Sequence, residues 1–118
     1  MLNLSHRKLI AWRKSIERLP LLYKLCEKFP KEETYNLIGQ MKRAALSISG
    51  NLAGGPHENQ KKEKNRFFEI SRYSLVEIDN CIVASIVLKY IIREDLQEIE
   101  PGLEELFKII PGLISSNL

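Results

Sequence analysis

The sequence predicts an all-α protein, an antiparallel up-down-up-down four-helix bundle, on three observations. Apolar residues recur at spacings of three and four in four successive segments. Glycine and proline are few and gather mostly at the joints between those segments. The 118 residues are 44% apolar and 28% charged. That is enough for one domain, residues 1–118, with a core that needs neither disulfide nor metal.

In the first segment Leu9, Trp12, Ile16, Leu19, Tyr23 and Cys26 step by three and four, a seam along one helix face. Arg13, Lys14, Glu17, Arg18, Lys24 and Lys28 fall off that seam, toward water. Pro20 lies inside the pattern, removes one backbone donor, and is expected to kink the helix near Ile16. Phe29-Pro30 marks the stop, because a residue before proline avoids the helical region.

The second helix is expected from Lys31 or Glu32, where two acids suit the positive end of its dipole. Its apolar face is Leu37, Ile38, Met41, Ala44, Ala45, Ile48 and Leu52. Ala44, Ala45, Ser47, Ser49, Gly50 and Ala53 are small, so a neighbouring backbone can approach closely. Gly54-Gly55-Pro56 supplies a left-handed cap and a stop.

A polar connection from His57 leads into a third helix, expected from about Gln60 to about Ile92, with Phe68, Leu75, Ile78 and Ile82 on one stripe. Beyond Cys81 this helix is apolar on nearly every side. Such a helix must be covered all round. Three neighbours in so small a protein can hardly do that, which predicts a subunit interface there. The fourth helix is expected near Asp95, a favourable N-cap. Leu96, Ile99, Leu103, Leu106, Ile110 and Leu113 repeat the seam spacing, while Pro101-Gly102 and Pro111-Gly112 either bend or split it.

Charge is distributed unevenly. Residues 1–56 carry net +6, residues 57–73 net +2 and residues 74–118 net −5, which gives the overall +3. The front is basic and the back acidic. Cys26 and Cys81 sit in apolar helical patterns without a nearby partner, as reduced, buried hydrophobes do. The first eight residues lead into no uninterrupted apolar stretch, so they do not read as a secretory signal. The apolar run Cys81 to Ile92 is too short to span a bilayer and contains Lys89. These features predict a cytoplasmic protein with no membrane partner.

Two stretches carry a family resemblance. One is Gln40-Met41-Lys42-Arg43-Ala44-Ala45-Leu46-Ser47-Ile48-Ser49-Gly50-Asn51-Leu52-Ala53-Gly54-Gly55. The other is Arg66-Phe67-Phe68-Glu69-Ile70-Ser71-Arg72-Tyr73-Ser74-Leu75-Val76-Glu77-Ile78. With Trp12 and Phe29-Pro30, they make the chain resemble the four-helix-bundle proteins called 23S rRNA intervening-sequence proteins. It is also similar to the accessory protein of diversity-generating retroelements, which partners a reverse transcriptase. The resemblance implies a ring-shaped homopentamer, bacterial origin and no enzyme activity. Two departures loosen the end of helix two: Gly54 replaces the family's usual Glu, and Gly50 stands where Pro or Ala is common.

Catalytic constellations are not apparent. The only histidines, His6 and His57, do not follow a Glu by three residues, as a di-iron bundle requires. No ligand-type spacing suggests zinc, no G-x-S-x-G motif suggests a nucleophile, and no strand precedes Gly54-Gly55 to make a phosphate-cradling loop. Glu98, Glu100, Glu104 and Glu105 read as a solvated face. We therefore expect no cofactor, no metal and no small-molecule substrate.

Two polar groupings remain. Arg43 and Glu77, on adjacent helices, are predicted to form an interhelical charge-assisted bond, with Ser47, Asn51 or Ser74 completing it. Lys61, Lys62, Lys64, Arg66 and Arg72 surround the start of helix three, interleaved with Phe67, Phe68 and Tyr73. Lys42 and Arg43, or Arg13, Lys14 and Arg18, could extend that patch. Clustered cations suffice to contact RNA or DNA phosphates with weak sequence preference. The alternative is an adaptor whose apolar helix three and charge asymmetry serve self-assembly alone.

Overall fold

The computed structural model describes residues 1–114, and among them there are helices and turns but no strand. Four α-helices form: α1 (Ile10–Cys26), α2 (Leu37–Gly54), α3 (Lys61–Val87) and α4 (Glu100–Ile109). Short 3-10 turns precede α1 and α2, follow α2 and flank α4.

Contacts between neighbours fix their directions. Along α2 and α3, Ser71 meets Ile48, Ser74 meets Ser47, and Phe67 and Phe68 meet Gly54 and Gly55, so one helix rises as the other falls. Lys14–Glu105 and Lys28–Asp95 give the same antiparallel relation between the α1 and α4 arms. Lys42 over Tyr23 and His57 against His6 do so for α1 and α2. Each helix thus lies between two antiparallel neighbours, around a core that includes Leu22, Met41, Ile48, Leu52, Ile78 and Leu106.

The expected faces of α2 and α4 are the buried ones, with Ile38, Leu103 and Leu113 at their edges. On α1 the inward face is different. Ala11, Ser15, Leu22, Leu25 and Cys26 are buried, Leu9, Trp12 and Leu19 flank them, and Ile16 is exposed. A helix wedged between two neighbours buries a face wider than one seam, and small residues let the backbones approach. Pro20 does not break α1. It and Ile16 both lie on the exposed side of the helix.

The ends also differ from expectation. Lys31–Glu33 forms a separate turn, and α2 begins at Leu37. Glu33 Oε1 there accepts bonds from Asn36 and from the Leu37 N–H, and its Oε2 accepts the Tyr90 hydroxyl at 2.8 Å. Gly54 and Gly55 stay right-handed, so no left-handed cap ends α2. They are glycines because the Phe67 and Phe68 rings lie where a Cβ would project, 2.9 Å and 2.5 Å away.

Helix α3 ends at Val87, five residues before the expected Ile92. Lys89 takes the left-handed conformation at φ 66°. Its N–H bonds the Ile86 carbonyl and the Tyr90 N–H reaches back to the Ser85 carbonyl, both at 2.9 Å, the paired bonds of a Schellman cap. Asp95 caps a short turn instead of α4, accepting the Ile92 N–H at 2.9 Å and Lys28 Nζ at 2.8 Å. Pro101-Gly102 neither bends nor splits α4. Pro101 occupies its first turn, a favoured place, and Gly102 makes room for the Arg18 guanidinium. Pro111-Gly112 lies in the 3-10 turn beyond it.

Candidate nucleic-acid interface

Antiparallel packing gives the bundle two ends. At one, the turn Ser5–Lys8 packs against α2 and the turn Gly55–His57, and that second turn packs against α3. This end gathers Arg7 and Lys8 with Lys61, Lys62, Lys64 and Arg66, against Glu58 and Glu63. Arg13 helps hold it, its Nε donating to the Arg7 carbonyl at 2.8 Å. Lys61, Lys62 and Arg66 are exposed and Lys64 is half-buried. Arg66 lies 3.5 Å from Glu63 one turn earlier, a solvent-screened pair that leaves the cation available.

The remaining candidates lie elsewhere. Lys42 sits over the Tyr23 ring, 4.8 Å from its centroid. It is a dozen residues before Gly54, about 18 Å along the axis from the basic end. Arg72 stacks on Phe107 at 4.5 Å, beside α4. Lys14 pairs with Glu105 at 3.0 Å and Arg18 lies on Gly102, so both belong to the α1–α4 contact. Phe68 is buried against Gly55 and Phe67 is half-buried against Gly54, while Tyr73 is exposed.

Arg43 and Glu77 are both exposed, and no ion pair joins them among the described residues. In water such a pair gains little and each charge is well solvated alone. The polar link between these helices is carried by hydroxyls. Ser74 Oγ donates to Ser47 Oγ at 2.8 Å and Ser71 Oγ donates to the Ile48 carbonyl; within α2, Asn51 Nδ2 donates to the Ser47 carbonyl at 2.8 Å.

The other potentially reactive groups are quiet. Cys26 and Cys81 are buried free thiols. Burial pushes Cys26 up to about 11 and raises Cys81 as well. No group of three or more metal-ligating side chains gathers among the described residues. No described helix is long and apolar enough to cross a membrane.

Opposite its core face, α3 carries a second stripe. Tyr73, Val76, Asn80, Val83 and Val87 step by three, four, three and four, and all are exposed, Tyr73 at 65%, Val83 at 52% and Val87 at 72%. It borders a groove of about 380 Å³ between α3 and α4, lined by Leu75, Val76, Ile82, Leu96, Leu103 and Phe107 and edged by three acids, Asp79, Glu100 and Glu104, and one cation, Lys108.

The sequence profile of the 23S rRNA-intervening sequence proteins matches residues 7–112. The chain belongs to that family. The span that makes it an intervening-sequence protein covers all four helices and the cations from Arg7 to Arg66; His6 lies just before it. No curated protein matches the chain. Sequence reasoning missed Arg7, Lys8 and His6 as members of the basic end. Nothing in their local pattern signals it, since only folding brings them to residues fifty positions away.

Proposed function

We propose that this intervening-sequence protein is a non-enzymatic, cytoplasmic scaffold that assembles with copies of itself and holds RNA by its phosphate backbone. The observation that carries the reading is the convergence of Arg7 and Lys8 with Lys61, Lys62, Lys64 and Arg66 on one end of the bundle. Phosphate binding needs clustered, mobile cations and no base-reading pocket. The family's name, which refers to insertions in ribosomal RNA, agrees with such a partner.

Self-association is supported by the second α3 stripe. A three-four repeat of exposed valines and a tyrosine is what a helix offers another helix, and Asn80 within it would fix register at some cost in stability. The acidic-edged groove beside it and the basic end favour head-to-tail contact, the kind that closes a ring; the family resemblance suggests five copies.

Filter binding of RNA at low and moderate salt tests the reading. Retention at low salt should fall steeply as salt rises. Lys61→Glu with Lys62→Glu should weaken it and flatten the logarithmic salt slope by roughly 1.4 if each lysine meets one phosphate of a single strand. No retention at low salt overturns it. Light scattering with and without RNA separates it from the reading that observation of the α3 stripe also favours, an adaptor that only self-assembles: that protein would be oligomeric yet gain no mass from RNA.

A further inference from the structure

His6 and His57 stand 51 residues apart in the chain, yet His6 Nδ1 and His57 Nε2 share a hydrogen bond of 3.0 Å. Their rings meet edge to face with centroids 5.3 Å apart, and Trp12 sets its ring edgewise on His6 at 5.0 Å. In such a contact one nitrogen donates and the other accepts. Neutral rings satisfy it, and so does a pair holding one extra proton. Two extra protons do not, because two N–H groups then face each other.

The surrounding charge opposes protonation. The N-terminal segment brings the Met1 ammonium, Arg7 and Lys8. Helix α1 brings Arg13, the corner after α2 brings Glu58, and the start of α3 brings Lys61, Lys62, Glu63 and Lys64. The last three turns of α2 carry no charge. Cations outnumber acids. Burial, the His57 ring and Arg7 hold His6 below the ordinary histidine range.

We propose that the His6–His57 pair is a proton-linked part of the RNA interface: phosphates bound at this end draw protons onto the two imidazoles, so affinity rises as pH falls. The inference rests on the RNA reading above. Bound phosphates offset the field of the neighbouring lysines and arginines and favour the imidazolium forms. The pair then opens, and each imidazolium N–H donates to a phosphate oxygen in a charge-assisted bond. Protonation is favoured more in the complex than in the free protein. The added affinity therefore accumulates as pH drops from the complex's histidine pKa to that of the free protein, and levels off below it. Each proton taken up contributes about tenfold per pH unit across that window.

The test measures dissociation constants for a labelled oligouridine at one low salt concentration between about pH 5.5 and about pH 8, where histidine titrates. The native protein and a variant carrying His6→Gln and His57→Gln are compared. The native protein should tighten at least tenfold on acidification, and the double variant should lose most of that gain; acids and lysines common to both cancel. Imidazole NMR of the native protein should show both histidines titrating at higher pH with the RNA bound, a readout that needs no variant to fold. Equal pH slopes, with histidine titration unmoved by RNA, overturn this inference and leave RNA binding standing. Absence of binding at every pH overturns the RNA reading and the proton linkage together.

Discussion

The ring of Phe68 fills the space beside Gly55 so fully that a Cβ there would lie 2.5 Å from its Cε1 atom. The corner between α2 and α3 closes on this contact, and the basic end is built on that corner. Gly55→Ala forces either the ring or the backbone to move. We expect a loss of about 1–3 kcal/mol by chemical denaturation. Gly50 is the control, exposed in mid-helix with nothing within 4 Å of its would-be Cβ. Gly50→Ala should gain about 0.5–1 kcal/mol. Equal effects at both positions would contradict the packing argument.

Lys89 closes α3 in a conformation that suits glycine. Lys89→Gly removes a Cβ clash costing about 1–2 kcal/mol and adds chain entropy to the unfolded state. The net expectation is a rise in stability of up to about 1 kcal/mol. Lys89→Val, branched at Cβ, should lower the melting temperature; a valine tolerated without loss would mean the cap is not kept in solution.

The outer stripe of α3 should govern assembly and leave folding alone. Val83→Glu with Val87→Glu places two charges on exposed valines that make no part of the core. We expect monomer mass by light scattering and unchanged helical circular dichroism. An unaltered oligomer would remove the stripe from the interface.

Acid should weaken the end opposite the basic one. The Tyr90 hydroxyl bonded to Glu33, with Asn36 beside it, holds that carboxyl below its ordinary range. Lys28 and the Ile92 N–H do the same for Asp95. A carboxyl that ionises more readily when folded stabilises the fold above its unfolded pKa, and the contribution is lost as pH falls through the folded one. Melting temperature should therefore drop as pH falls below about 4. Tyr90→Phe and Asp95→Asn should each flatten that drop, and a variant as acid-sensitive as the native protein would disprove its share.

Much of the bundle is legible before folding because its cause is local. Spacings of three and four placed the α2 core from Leu37 to Leu52 and the α4 core from Leu96 to Ile110 correctly. Ends were harder. Asp95, and Glu32 with Glu33, are helix-start signals that serve 3-10 turns, and Lys89 caps α3 without being a glycine. Gly54 and Gly55 looked like a cap and are packing glycines. On α1 the expected seam packs on the core at Leu9, Trp12, Leu19 and Cys26 but not at Ile16, and because α1 touches two neighbours the buried face also takes in Ala11 and Ser15.

The sequence by itself determined four helices, their order, most of their inward residues and the family, since periodicity and motif are properties of neighbouring positions. Only the tertiary structure decided which charges stand together. It left Lys42 and Arg72 over aromatic rings, left Arg43 and Glu77 without an ion pair, and joined His6 to His57 near Arg7 and Lys8. Coulomb and hydrogen-bond energies depend on distance in space, and those distances exist only once antiparallel packing has folded distant segments onto one end of the bundle.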